Sequence, residues 1–191
     1  MDTQADGVLG CMFSDVCGKL PTVSWQGYHY FVTFMDDHSR KVFIAGLQEK
    51  SKVFQNFMKL LAQLELQMGA KLKAFRTNGR GEYTGKQFKS HLKARGIHHE
   101  IITPNTPQHN GVVECLNRML LEKAHAMLSD AGLPNTYWFD ALEYAITLHN
   151  VLPTCALTDV TPEEAWSRNK PNISYLRIFG CSTHMHVPKE H

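Results

Sequence analysis

The 191-residue sequence predicts an α/β fold, in which a mixed β-sheet is covered by helices on both faces. Three runs of apolar and aromatic residues, separated by short polar turns, indicate an antiparallel meander at residues 8–16, 28–35 and 41–47. After these runs the apolar residues recur at helical spacing. Two further short strands, at residues 72–77 and 97–102, are separated by a helical segment, an order typical of sheets packed between helices.

The first two helices are defined by their apolar stripes and by the glycines that follow them. Val53, Phe57 and Leu61 belong to the first stripe, with Ser51 as its predicted N-cap and Gly69 as its end. The second helix covers residues 86–95, carries several basic side chains and ends at Gly96. We therefore expect strand, helix, strand, helix and strand to follow one another in the middle of the chain.

The last third of the chain is predicted to be mainly helical. Residues 103–111 are rich in Pro, Asn and Gly and indicate a loop, after which Asn110 caps a long helix ending before Gly132. A helix containing Trp138 follows, and a short one begins after the N-cap Thr161. The final apolar run, at residues 176–187, is predicted to be a strand.

Composition and length limit the class of protein. Apolar residues make up 43% of the chain and charged residues 20%, which is ordinary for a globular protein. We expect a single domain over residues 1–191, with no signal peptide and no membrane partner, because no apolar run is long enough. The five scattered cysteines favour free thiols in a reducing compartment, so we expect an intracellular protein, nuclear or cytoplasmic.

The small net charge of +2 conceals a strongly basic segment. Residues 71–95 contain eight basic residues and one acid, which is the charge distribution of a nucleic-acid contact surface. A solvated helix face would give the same pattern. The candidate nucleic-acid-binding residues in this segment are Lys71, Lys73, Arg76, Arg80, Lys86, Lys89 and Lys93.

Polar residues that could carry chemistry lie at strand ends and near a helix start. Asp15 lies inside an apolar strand, where a carboxylate needs a partner or a metal ion. Asn78 directly follows the strand at residues 72–77, and Glu114 lies near the start of the long helix. Thirty-five residues separate Asn78 from Glu114.

Several segments in this order resemble the catalytic core of retroviral-type integrases, and in particular the integrase of Copia-type retrotransposons. The matching segments are residues 13–18, 30–40, 76–83, 106–118, 121–124, 131–134, 161–166 and 176–181. The resemblance covers residues 12–189. It implies an RNase H-like fold with a five-stranded mixed sheet, and we expect neither an N-terminal zinc domain nor a C-terminal DNA-binding domain.

The resemblance also implies the chemistry of the site. Members of this family use an Asp, Asp, Glu trio to hold two Mg²⁺ or Mn²⁺ ions for phosphoryl transfer. Carried over to this sequence, the catalytic positions are Asp15, Asn78 and Glu114, with Asp15 and Glu114 as metal ligands. Asn110, Asn117 and Arg118 correspond to the DNA-contacting residues. The implied partners are a nucleic acid, with DNA favoured, and a second copy of the chain.

The sequence departs from the family pattern at the central catalytic position. The family has Asp-Asn-Gly-Gly-Glu-Tyr, whereas this chain has Asn78, Gly79 and then Arg80 before Gly81. An amide brings no negative charge, and a nearby guanidinium repels a divalent cation. We therefore expect weakened binding of Mg²⁺ or Mn²⁺.

Three functions remain open at this point. The first is a retrotransposon-derived integrase core that binds nucleic acid with impaired or lost polynucleotidyl-transferase activity. The second is an active metal-dependent nuclease or strand-transfer enzyme, in which Glu82 or water replaces the missing carboxylate. The third is a domesticated protein-interaction module, because residues 115–169 contain seven acids and only three basic residues.

Overall fold

The computed structural model describes residues 4–102 and 107–182, with the backbone alone for residues 107–110. Short 3₁₀ turns at Lys50–Lys52 and Asn135–Tyr137 precede the first and fifth helices. In chain order the elements are β1 (Cys11–Cys17), β2 (Tyr30–Asp36), β3 (Val42–Leu47), α1 (Val53–Met68), β4 (Ala74–Thr77), α2 (Gly81–Thr84), α3 (Lys86–Ala94), β5 (His98–Ile101), α4 (Pro107–Asp130), α5 (Trp138–Val151) and α6 (Pro162–Ser167).

The described strands form one mixed sheet in the order β3-β2-β1-β4-β5. β1 pairs antiparallel with β2, and β2 pairs antiparallel with β3, as the predicted meander requires. β4 and β5 run parallel to β1 and to each other. β1 is therefore the central strand, and its carboxyl end lies beside the carboxyl end of β4.

Helices cover both faces of the sheet, which confirms the predicted fold class. The alternation of side chains along β1 sends Met12 and Val16 to the face covered by α1 and α3. Phe13 points to the opposite face, where α4 and α5 pack. Trp138 and Trp166 are both buried as core residues, one on each side of the sheet.

Glycines end three helices as the sequence predicts, and the one that follows α3, Gly96, has φ of 68°. Gly69 follows α1 with φ of 61° and Gly132 follows α4 with φ of 63°, a backbone conformation that L-residues with side chains rarely adopt. At the N-terminus of α6, Thr161 is the cap, because its hydroxyl accepts a hydrogen bond of 3.1 Å from the Glu164 amide.

Three predicted details are wrong. Ser51 does not cap α1: it lies within the preceding 3₁₀ turn and its hydroxyl donates to the Glu49 carboxylate. The predicted loop at residues 103–111 gives way to α4, which begins at Pro107, because proline is compatible with the first turn of a helix. Asn110 therefore lies inside α4 rather than at its cap, and residues 103–106 lie outside the described residues.

The third correction concerns the end of the chain. Residues 176–182 form no strand. Their backbone makes turns instead, with the Leu176 amide bonded to the Ile173 carbonyl and the Cys181 amide bonded to the Ile178 carbonyl. Phe179 packs against Tyr144 of α5, so this segment buries apolar surface against a helix rather than at the sheet edge. Residues 183–187 of the predicted strand lie outside the described residues.

In the part of the chain that the structure describes, no helix combines the length and the apolar character required to cross a bilayer. All five cysteines are unpaired.

Candidate active site at the carboxyl edge of the sheet

The pairing of β1 with β4 brings Asp15 and Asn78 into contact. Ser14 lies opposite Thr77 in the parallel register, so the next residue of each strand lies at the same edge of the sheet. There the Asn78 amide Nδ2 donates a hydrogen bond of 2.5 Å to Asp15 Oδ1. Asp15 itself is only 7% exposed.

A second amide, from α4, holds the other oxygen of Asp15. Asn117 Nδ2 donates to Asp15 Oδ2 at 3.2 Å, and the Thr33 hydroxyl of β2 donates to Asn117 Oδ1 at 3.0 Å. Asn117 is buried, with 4% of its surface exposed. Its predicted contact with nucleic acid does not fit this position, because both ends of its amide are engaged inside the protein.

Glu114 lies about one turn before Asn117 on α4 and is exposed to solvent. Burial raises the pKa of the Asp15 carboxyl above its ordinary value. The positive charge of Arg80 opposes this rise, whereas the negative charge of Glu114 adds to it. Glu114 and Arg80 are thus both close enough to Asp15 to act on its charge.

The loop after β4 has a fixed backbone shape. Gly79 has φ of 48°, and a Cβ at this position would lie 2.6 Å from the Ile101 side chain, so the turn requires glycine. The Arg80 amide donates a long hydrogen bond of 3.4 Å to Asn78 Oδ1. This arrangement turns the amide oxygen of Asn78 toward its own loop and its Nδ2 toward Asp15.

Tyr83 fixes the loop after β4 to the core of the protein. This residue is fully buried, and its hydroxyl shares a hydrogen bond of 2.7 Å with the Ser14 hydroxyl, next to Asp15 in the chain. Glu82 beside it has a buried oxygen, Oε1, with no hydrogen-bond partner among the described residues.

These residues do not fit the two-metal arrangement that the resemblance implies. The three positions that the resemblance implies as metal ligands provide two carboxylates and the amide of Asn78. That amide directs its N–H donor at Asp15, whereas a cation shared with Asp15 would need an oxygen there. Within residues 4–102 and 107–182, no group of three or more His, Cys, Asp or Glu side chains is placed to hold a metal ion. Arg80 adds positive charge beside the same carboxylate.

The basic residues predicted to bind nucleic acid do not form one surface: they lie before β4, on β4, in the loop that follows it, on α3 and on α4. Lys71 and Lys73 are exposed before β4, at the end of that strand opposite Asn78. Arg76 is half-buried, bonded through Nε to Glu100 at 2.6 Å and lying over the Phe13 ring. Exposed basic side chains are Lys86, Lys89 and Lys93 of α3, Arg80 of the loop and Arg118 of α4. The side chain of Asn110 lies outside the described residues.

Two features of the site were missed by sequence reasoning. Thr33 interrupts the aromatic and apolar run at residues 30–35 of β2, and that interruption is the signal that could have found it. The pairing of Ser14 with Tyr83 has no comparable signal, because 69 positions separate the two residues.

Comparisons with known proteins identify relatives of this chain and solved structures with the same fold. Comparison with models of known protein families gives no match. The retrovirus-related Pol polyprotein from transposon TNT 1-94 of Nicotiana tabacum is 43% identical over 183 residues, which cover 96% of this chain. Those from transposons RE1 and RE2 of Arabidopsis thaliana are 34% and 32% identical, each over 91% of the chain. The chain spans 14%, 12% and 12% of the length of these three relatives.

Two solved structures share the fold at low sequence identity. A simian T-cell lymphotropic virus intasome in complex with PP2A regulatory subunit B56 gamma superimposes with a TM-score of 0.66, at 17% identity, over 93% of this chain and 66% of the matched chain. The HTLV-2 integrase catalytic core domain in complex with magnesium, in a trimeric form, gives 0.60 at 16% identity, over 84% of this chain and 98% of that one. The chain is therefore a homologue of one segment of the Copia-type retrovirus-related Pol polyproteins, and it has the RNase H-like fold of retroviral integrase catalytic cores.

Proposed function

We propose that this protein is a retrotransposon-derived integrase core that binds nucleic acid and in which polynucleotidyl-transferase activity is impaired or lost. The observation that carries the proposal is the hydrogen bond from Asn78 Nδ2 to Asp15 Oδ1. It occupies the carboxylate oxygen that faces the position of the second catalytic residue.

The loss of activity follows from charge and geometry. Asn78 could present its oxygen to a cation only by turning its amide, which would break its hydrogen bonds with Asp15 and with the Arg80 amide. The Arg80 guanidinium would still repel the cation. Metal assistance to phosphoryl transfer is worth several kcal/mol, so its loss slows the reaction by roughly a thousandfold or more.

Binding of nucleic acid is supported by exposed basic side chains rather than by the whole basic segment. Lys86, Lys89 and Lys93 of α3 and Arg118 of α4 are exposed. Such residues contact phosphates and give weak, sequence-tolerant binding. We favour DNA as the ligand, because one of the structures with the same fold is an intasome.

Assembly and location belong to the same proposal. The similar HTLV-2 structure is a trimeric form and the other is an intasome, which supports self-association, and we propose a homodimer for this chain. The five unpaired cysteines support a reducing compartment, either nuclear or cytoplasmic.

The decisive experiment compares metal binding and DNA cleavage in the natural chain and in Asn78→Asp. Calorimetry with Mg²⁺ and Mn²⁺ should detect little binding to the natural chain and stronger binding to Asn78→Asp. Adding Arg80→Gly should strengthen binding again, because the nearby positive charge is then removed. Cleavage of a labelled DNA duplex should be negligible in the natural chain, detectable in Asn78→Asp and stronger when Arg80→Gly is added.

The matched control is Glu114→Gln in the Asn78→Asp background, which should abolish the gain. Asn78 precedes Gly79, and this dipeptide deamidates readily, so peptide mass spectrometry must accompany each assay. Cleavage by freshly prepared, undeamidated protein in Mg²⁺ that Glu114→Gln stops would establish an active enzyme and reject the proposal. Salt-independent or undetectable nucleic-acid binding would instead favour a protein-interaction module.

A further inference from the structure

The sequence contains two Asn-Gly dipeptides, and one of them is at the candidate active site. Asn78 and Gly79 form the first, in the loop after β4, and Asn110 and Gly111 form the second, in α4. Asparagine loses its side-chain ammonia most readily before glycine, because glycine has no side chain to hinder attack by its backbone nitrogen. Since the dipeptides are identical, a difference in their reactivity reports the effect of the fold.

The backbone nitrogen that would attack is available at Gly79 and engaged at Gly111. Among the residues that the structure describes, none accepts a hydrogen bond from the Gly79 amide. Asn78 and Gly79 are both partly exposed, so water reaches them. Gly111 is the fifth residue of α4, the position at which the backbone N–H groups of a helix begin to be hydrogen-bonded within it. The fold therefore favours reaction at Asn78 over reaction at Asn110.

The Asn78 side chain is folded back over the peptide group that would attack it. Its Oδ1 accepts the hydrogen bond of 3.4 Å from the Arg80 amide, and this contact closes a ring of atoms that includes both Asn78 Cγ and the Gly79 nitrogen. A donor on Oδ1 also stabilises the negative charge that this oxygen gains when Cγ is attacked. The hydrogen bond from Nδ2 to Asp15 holds the side chain in the same orientation.

We propose that Asn78 is a site of spontaneous deamidation, which converts it to aspartate and supplies the carboxylate that the second catalytic position lacks. The Gly79 nitrogen forms a bond to Asn78 Cγ, and the bond from Cγ to Nδ2 breaks. The proton of the Gly79 amide leaves with Nδ2 as ammonia, and a five-membered imide ring remains. Water then opens the ring at Cγ, which gives aspartate, or at the backbone carbonyl, which gives isoaspartate. One water is consumed, one ammonia is released and nothing is oxidised or reduced.

The consequence of deamidation rests on the function proposed above, whereas the reaction itself does not. Aspartate at residue 78 would replace the donor to Asp15 by a second negative charge, and a pair of adjacent carboxylates favours a divalent cation. Isoaspartate would not do the same, because its longer backbone link displaces the carboxylate. The chain would thus be made without a complete metal site and would gain one as it ages.

Timed incubation of the full chain at neutral pH, without metal, measures the reaction. Peptide mass spectrometry gives the rate of deamidation at each dipeptide. In the native protein Asn78 should react at least about fivefold faster than Asn110, because one net hydrogen bond must first be broken at Gly111. In urea the two rates should become similar. Equal rates in the native protein, or reaction of Asn78 in urea alone, would overturn the proposal.

A second measurement identifies the product. Fragmentation that distinguishes aspartate from isoaspartate should find aspartate at residue 78, and calorimetry should show Mg²⁺ binding that rises with the aspartate fraction. Asn78→Gln is the matched control: it keeps the amide, forms the larger ring slowly and should gain no Mg²⁺ binding over the same time. Isoaspartate as the only product, with no gain in Mg²⁺ binding, would overturn the inference.

The failure of this inference and that of the proposed function are distinguishable. The deamidation rates are measured without metal and do not depend on what the site binds. If the Asn78→Asp variant itself bound no Mg²⁺, the explanation of lost activity by residue 78 would be rejected, and with it the gain of a metal site on ageing. If that variant bound Mg²⁺ and the native chain did not deamidate at Asn78, only the inference made here would be rejected.

Discussion

The Asn78 side chain donates a hydrogen bond of 2.5 Å to the carboxylate of Asp15, across the gap between two parallel strands. With Asn117 on the other carboxylate oxygen, Asp15 is held by two amides in a buried position. A carboxylate satisfied in this way is stable without a cation, whereas two carboxylates at the same distance would repel each other. The stability of the protein should therefore respond to the identity of residue 78.

Asn78→Asp should destabilise the protein when no divalent ion is present. The substitution removes the donor to Asp15 and adds a like charge, so we expect the free energy of unfolding to fall by about 1–3 kcal/mol in EDTA at neutral pH. Mg²⁺ should restore part of this loss. Urea unfolding with and without Mg²⁺ measures both effects. Asn56→Asp on α1, whose amide donates to the Lys52 carbonyl of its own helix start, is the control, and equal losses in the two variants would contradict the prediction.

Replacing three lysines of α3 should weaken nucleic-acid binding and reduce its dependence on salt. Lys86, Lys89 and Lys93 are exposed on one helix, and each lysine–phosphate interaction that the substitution removes should lower the slope of log K against log salt by about one. Binding of a labelled duplex to the triple Lys→Gln variant, at several salt concentrations, measures the slope.

The charge-matched control for this experiment replaces three exposed lysines elsewhere. Lys52, Lys59 and Lys123 lie on or beside α1 and α4, and their replacement by Gln removes the same net charge. If both triple variants lose the same affinity, only net charge matters and α3 is not the contact surface.

The hydrogen bond between Ser14 and Tyr83 should show coupling in a double-mutant cycle. Tyr83→Phe leaves the buried Ser14 hydroxyl unpaired and should cost about 1–3 kcal/mol of unfolding free energy. Ser14→Ala together with Tyr83→Phe should cost less than the sum of the single changes, because no polar atom is then left unpaired. Urea unfolding of the four proteins gives the coupling, and strictly additive losses would show that the contact does not anchor the loop.

Stability should decline on the acid side of neutrality through His149. Burial lowers its pKa below the ordinary value of 6.5, so the unfolded chain binds a proton more readily than the native protein. The contribution of His149 to the free energy of unfolding is complete above the pKa that this residue has in the unfolded chain. It is lost as the pH falls toward the lower pKa of His149 in the native protein. His99, whose pKa burial also lowers, acts in the same direction.

Urea unfolding from pH 8 to pH 5 tests this prediction. The slope of stability against pH should be smaller in His149→Phe than in the natural chain, because one of the groups that takes up a proton on unfolding is gone. Parallel curves for the two proteins would show that His149 does not contribute to the acid sensitivity.

Local sequence determined most elements of the fold for simple reasons. The aromatic and β-branched run at β2 and the helical stripe of α1 each contain their whole signal within a short window. One prediction failed because its signal was only compositional. The Pro- and Asn-rich stretch before Gly111 indicated a loop, yet α4 already begins at Pro107, since proline at a helix start costs no hydrogen bond.

The sequence by itself determined the identity and order of the candidate site residues: Asp15, Asn78 and Glu114, with 35 residues between the last two. Only the tertiary structure decided what they do to one another. The amide of Asn78 donates to Asp15. The amide of Asn117 is buried, because it bonds to both Thr33 and Asp15 and does not face solvent. Such contacts join residues 63 and 102 positions apart, and they depend on strand register and helix packing, which no local pattern encodes.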